Sequence, residues 1–135
     1  MKTSTEQRKK EEGARFVRYF GPLLDALRAL GGSGTPDEVA ERIALDLGLP
    51  SEVRNELLSS GESRYRKEVA WARFNLAREG LLDPSRRGVW SLTNRGRSTK
   101  LSPSQAREIS RKWARFFQQQ HRRAANAESD RDRAQ

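Results

Sequence analysis

Residues 13–100 are cut into helix-sized pieces by glycine and proline, and only one short stretch near their end reads as strand. The stops are Gly21-Pro22, Gly31-Gly32-Ser33-Gly34, Gly48-Leu49-Pro50, Ser59-Ser60-Gly61 and Gly80. Proline removes a backbone donor and glycine favours turns and helix ends, so no long helix or broad sheet fits between them. Apolar residues within the pieces recur at three or four residues, the period of a helix with one buried face.

Phe16, Phe20, Leu23, Leu27 and Leu30 form the first such series. Pro22 suits a first helical turn, so the spacing predicts a helix over 22–30 preceded by a shorter one. The glycine run at 31–34 reads as a turn. Thr35-Pro36-Asp37-Glu38 carries a cap, a first-position proline and a capping-box glutamate, and opens a helix whose Val39, Ile43 and Leu47 face inward. Ser51 can cap a short helix through Leu58. A longer helix runs from about Ser63 to Glu79, with Tyr65, Val69, Ala72 and Leu76 on its core face. Then Leu81-Leu82 and Val89–Thr93 flank the turn residues Asp83-Pro84-Ser85 and Gly88, which predicts a two-stranded hairpin with Trp90 and Leu92 on one side. The fold class expected is mainly α: a winged helix, that is a helix-turn-helix plus a two-stranded β-hairpin wing, with additional N- and C-terminal helices. Residues 1–12 read as a flexible basic arm and 13–100 as the winged-helix domain with its leading helix. Residues 101–124 read as a C-terminal amphipathic helix and 125–135 as a disordered tail.

Charge divides the chain unevenly. The formal net charge is +9 and the pI about 10.8. Residues 21–60 hold three Lys/Arg against seven acidic side chains, whereas residues 61–100 hold ten against four. A charge present only for solubility has no reason to segregate in this way, and a basic block suits a polyanion. Double-stranded DNA is the partner expected, with the 63–79 helix entering the major groove and the wing tip reaching phosphates or the minor groove. On that helix Arg64, Lys67, Asn75 and Arg78 supply donors for phosphates and base edges. Arg86 and Arg87 form the wing tip, and Arg95 continues the basic track, with Arg97 and Lys100 more peripheral. Trp71 and Phe74 lie on the same side of the helix and fit packing against a neighbouring helix.

The residue types that most often carry chemistry are sparse. There is no cysteine, and the one histidine, His121, has no companions for a metal site. The glycine run lacks the lysine and spacing of a phosphate loop. No catalytic residue, metal, cofactor or small-molecule substrate is expected. No stretch approaches the roughly 20 apolar residues that span a bilayer, and the N-terminus lacks a secretory apolar core. A cytoplasmic protein without a membrane partner is the expectation. Phe16 and Phe20 before the domain, and Ile109, Trp113, Phe116 and Phe117 after it, look surplus to a complete small core. They are therefore the expected interface of a homodimer.

The segments PLLDALRALGGSGTPDEVAERIA, LPSEVRNELLSSG and VAWARFNLAREGLLDPSRRGVWSLTNRG occur in that order between Pro22 and Gly96. This stretch resembles the N-terminal domain of the Mrr family of restriction systems, most specifically at Trp71-Ala72-Arg73, Gly80-Leu81-Leu82, Arg86-Arg87-Gly88-Val89-Trp90 and Leu92-Thr93. The resemblance implies a DNA-binding winged helix placed ahead of a nuclease domain. Sequence after the wing carries no strand signals to scaffold a nuclease, so binding without cleavage is expected. The alternative is a protein assembly module that uses the winged helix and the terminal helices.

Overall fold

The computed structural model describes residues 15–133. The basic arm expected at 1–12 lies outside them. A 3-10 turn over Arg15–Tyr19 leads directly into α1 (Phe20–Ala29), two residues earlier than expected because Gly21 and Pro22 both fit in a first turn. Then follow β1 (Ser33–Gly34), α2 (Pro36–Leu47), α3 (Ser51–Asn55), α4 (Arg64–Arg78), β2 (Leu82–Asp83), β3 (Trp90–Leu92), α5 (Asn94–Ser98) and α6 (Pro103–Arg133).

The local signals at α2 act as their chemistry requires. Thr35 Oγ1 accepts from the Glu38 amide and Glu38 Oε1 from the Thr35 amide, both at 3.2 Å, and Gly48 ends the helix at φ 58°. Leu47, expected in the core, is 44% exposed. It sits on the last turn of α2, and beyond Gly48 Leu49 folds back onto the core instead. Helix α3 is shorter than expected, and Ser51 is its first residue rather than its cap.

The sheet has three antiparallel strands in the order β1-β3-β2. Gly34 pairs with Trp90 and Ser33 with Ser91, so half of the glycine run expected as a turn is a strand. A two-residue strand leaves no periodicity to detect. Its partner β3 buries Trp90 and Leu92 on one side, as the alternation implied.

Helices α1, α2 and α4 meet around Leu23, Leu24, Leu27, Val39, Ile43, Val69 and Leu76, all fully or almost fully buried. Tyr65 joins them with its hydroxyl donating to the Ala40 carbonyl at 2.7 Å. The aromatic segments that looked surplus are used within the chain. Phe20 is fully buried, and Phe16 and Ile109 pack against the same core. Trp113 and Phe117 are half-buried along α4, and Phe116 remains 39% exposed. The core of so small a domain is open at the edge where both flanking elements lie, so they complete it. Phe20 therefore has no surface left for a second copy, whereas Phe16, Ile109, Trp113 and Phe117 spend only part of theirs within the chain. Helix α6 also continues to Arg133, through most of the stretch expected as a disordered tail.

Helix α5 was not expected. Thr93 caps it, accepting from the Gly96 amide at 3.0 Å, and Arg28 of α1 donates to the carbonyls of Gly96 and Thr99 at 3.1 and 2.7 Å. A Cβ built on Gly96 would lie 2.0 Å from the Leu81 carbonyl oxygen, a backbone atom that cannot turn aside. Gly96→Ala must therefore push α5 off the hairpin, at a cost of about 1–3 kcal/mol. Thermal unfolding of that variant is expected to show a lowered Tm, and an unchanged Tm would contradict the contact.

Candidate nucleic-acid interface

Helix α4 presents three faces. Tyr65, Val69, Ala72 and Leu76 point into the core. At 100° per residue, Arg66, Ala70, Arg73 and Ala77 share one flank and Arg64, Trp71, Phe74 and Arg78 the other. The first flank runs between α2 and the wing. Arg66 pairs with Asp37 and lies 3.6 Å from Glu41, both on α2. Arg73 lies over the Trp90 ring of β3 with its guanidinium carbon 5.9 Å from the centroid. Its Nε is buried without a hydrogen-bond partner, and among the described residues no carboxylate pairs with it.

The second flank is only partly covered, with Trp71 and Phe74 still 50 and 42% exposed. Trp71 meets Phe16 edge to face at 6.0 Å, and Phe74 stacks on Phe117 of α6 at 6.0 Å. Arg78 lies over both rings of that stack, 5.2 Å from Phe74 and 5.6 Å from Phe117. The donors expected on α4 are thus already engaged within the chain. Arg64 faces Glu56 at 3.3 Å, Lys67 pairs with Glu62, and Asn75 donates to the Trp71 carbonyl at 3.0 Å. Glu68 is buried beside this flank. Burial raises its carboxyl above the ordinary value, against the charges of Arg15, Arg18 and Arg64.

Arg86 and Arg87 are exposed at the wing tip, with no carboxylate partner among the described residues. The tip is ordered by Asp83, which accepts from the Ser85 amide at 2.9 Å, and by Gly88 at φ 75°. Arg95 belongs to α5, not to the wing. It donates to the Glu79 carbonyl at 2.8 Å and lies 3.7 Å from the Glu79 carboxylate. Sequence reasoning passed over Arg73, which lies over Trp90 of β3, and Arg66, which pairs with the α2 carboxylates. The signal for Arg73 was its spacing: four residues after Val69 and three before Leu76, it must emerge at the rim of the core. His121 is exposed on α6, and among the described residues no group of three His, Cys, Asp or Glu could hold a metal.

Glu79 fastens α6 to the end of α4. Its side chain is 11% exposed, and its carboxylate accepts from Trp113 Nε1 at 2.9 Å and from Lys112 Nζ. Burial pushes the carboxyl up. The hydrogen bonds from Lys112 and Trp113, with the charges of Lys112 and Arg95, outweigh it and hold the group below the ordinary 4.5.

A helix, a short strand, two further helices with a small one between them, and a hairpin whose second strand lies at the centre of the sheet together define a winged-helix protein. The family model for the Mrr N-terminal domain matches residues 16–102, and the chain belongs to that family. A curated relative is the type IV methyl-directed restriction enzyme EcoKMrr of Escherichia coli (strain K12). It is 32% identical over 81 residues, which cover 60% of this chain and 27% of that protein. No solved structure matches the chain significantly.

The contribution of Glu79 to the seating of α6 has a defined pH window. Its folded pKa lies below the unfolded 4.5, so the contribution is complete above 4.5 and is lost as pH falls through the folded value. The Trp113 indole N–H resonance is expected to hold steady from neutral pH and to shift only below about 4.5. Glu79→Gln should abolish that titration. A Trp113 signal that titrates equally in the variant would contradict the assignment.

Proposed function

We propose that this chain recognises double-stranded DNA, with the flank of α4 that carries Arg66, Ala70, Arg73 and Ala77 set in the major groove and the wing laid on the backbone. One observation carries the reading. Among the described cations from Arg15 to Lys100, eight of fifteen are held by carboxylates, as in Arg42–Asp46, Arg54–Glu41 and Arg64–Glu56; Arg73, Arg86 and Arg87 lie together on the wing side without such a partner, and Arg18, Arg78, Arg97 and Lys100 lack one elsewhere. Ion-paired arginines must give up one partner to gain another. Unpaired ones are ready to meet phosphates or base edges. Ala70 and Ala77 keep the flank low enough for the helix backbone to approach base edges. Stacking on Trp90 limits the freedom of Arg73, so less entropy is lost when it binds.

The role is recognition and not cleavage, in keeping with membership of an N-terminal domain family. It belongs to a restriction system, as the curated relative does. That relative is named as methyl-directed, which makes a duplex with methylated bases the first ligand to compare with an unmodified one. A second reading, docking of another protein or a second copy, is favoured by the exposed aromatics Trp71, Phe74 and Phe116 at 50, 42 and 39%.

The test is a labelled-duplex titration with Arg86→Glu/Arg87→Glu. The variant is expected to bind at least about tenfold more weakly at low salt, with a salt slope shallower by about 2, one unit for each phosphate no longer neutralised. It should keep the wild-type Tm, because both side chains are exposed and unpaired. Undiminished binding would remove the wing from the interface. Incubation of duplex with the chain and magnesium or manganese should leave the strands intact. Cleavage that tracks the purified chain would overturn the non-catalytic reading.

A further inference from the structure

Helix α6 carries a second basic surface, largely beyond the residues of the family match. At 100° per residue, Arg107, Arg111, Arg115, Gln118 and Arg122 fall within an arc of about 80°. The residues that seat the helix on the domain, Ala106, Ile109, Trp113 and Phe117, lie roughly opposite. All four arginines are exposed. Among the described residues none has a carboxylate partner, whereas Lys112, off the arc, pairs with Glu79.

A merely solvated helix face gains a few tenths of a kcal/mol from each opposite-charge pair four residues apart. Here the four-residue spacing from Arg107 to Arg111 to Arg115 puts like charges together, which costs a similar amount at each step. Glu108 lies at the edge of the arc and interrupts nothing. The arc thus forgoes local stability and keeps its positive charge free.

We propose that this arginine track is a second contact for duplex DNA, separate from the winged-helix surface. The inference rests on the reading of the chain as a DNA-binding protein. From Arg107 to Arg122 the track spans about 22 Å at 1.5 Å per residue. A duplex carries one negative charge per roughly 1.7 Å of its axis, so the two charge patterns can run side by side over most of a helical turn. Arginine suits phosphate oxygens because its planar fork can donate two parallel hydrogen bonds. A membrane surface is disfavoured because the apolar side of α6, which would have to enter the lipid, is occupied by Phe74 and by the core of the chain itself. Joining the track to the winged helix raises the effective concentration of each contact for one duplex, so the two sites reinforce each other.

The test compares four proteins in duplex titrations over a range of salt: wild type, Arg107→Ala/Arg111→Ala/Arg115→Ala/Arg122→Ala, the same four positions changed to Lys, and the wing variant above. Alanine is the best helix former, so α6 should persist, and circular dichroism checks that it does. The alanine variant is expected to show a log–log salt slope shallower by about 3–4, at about 0.9 per phosphate left without its arginine, and the lysine variant a slope near wild type. An alanine variant with intact helicity and the wild-type slope would overturn the proposal. If it binds normally while the wing variant is weakened, the track fails and the winged-helix reading stands. The reverse pattern supports the track and refutes the wing. A track that binds single-stranded RNA in preference to duplex DNA would overturn DNA as its occupant.

Discussion

Burial of one face of α4 governs the rest of the arrangement. Tyr65, Val69, Ala72 and Leu76 go into a core shared with α1 and α2, and each large apolar side chain removed from water contributes about 1.5–3 kcal/mol. Once that face is fixed, helical geometry fixes the others. The flank with Arg66 and Arg73 must lie toward α2 and the wing. The flank with Trp71 and Phe74 must lie toward the leading turn and α6. The same core holds Trp90 and Leu92, so the wing is set at a definite angle to the helix beside it. The surface proposed to meet DNA is thus positioned by apolar packing, with charged side chains at its rim.

That division of labour explains what the sequence could and could not reveal. The helices, the capping box at Thr35, the hairpin and the alternation of Trp90 and Leu92 follow from local periods and turn chemistry, and the structure has them. Strand β1 was hidden because two residues in a glycine run become a strand only when β3 arrives from nearly sixty positions away. Helix α5 was hidden because its support comes from Thr93 and the distant Arg28. The flanking aromatics looked surplus because apolar residue types alone do not show that the core of a small domain has an open edge. Their real partners, such as Phe74 with Phe117 and Trp113 with Glu79, are long-range.

The candidate cations were legible by type, and their partners within the chain were not. Choosing the cations opposite the core stripe led to Arg64, Lys67 and Arg78, which carboxylates or aromatic rings occupy. A periodicity diagram gives every cation on a helix equal weight. The structure separates them by whether a partner is already present, and Arg73 stands out only once Trp90 is seen beneath it. The same criterion picks out the wing tip and the outer arc of α6. The chain is basic as a whole, and among the described residues the wing tip, Arg73 and the outer arc of α6 carry arginines without a carboxylate partner.

Amide hydrogen exchange of the whole chain, with and without saturating duplex at low salt, is the sharpest check on this interface, because it maps contact without altering a residue. Added protection is expected at the flank of α4 around Arg66–Ala77 and at the wing from Pro84 to Val89, with little change in α2 and α3 away from that flank. Protection confined to the exposed leucines Leu45 and Leu57, or none at α4 and the wing under conditions where the duplex is bound, would contradict it.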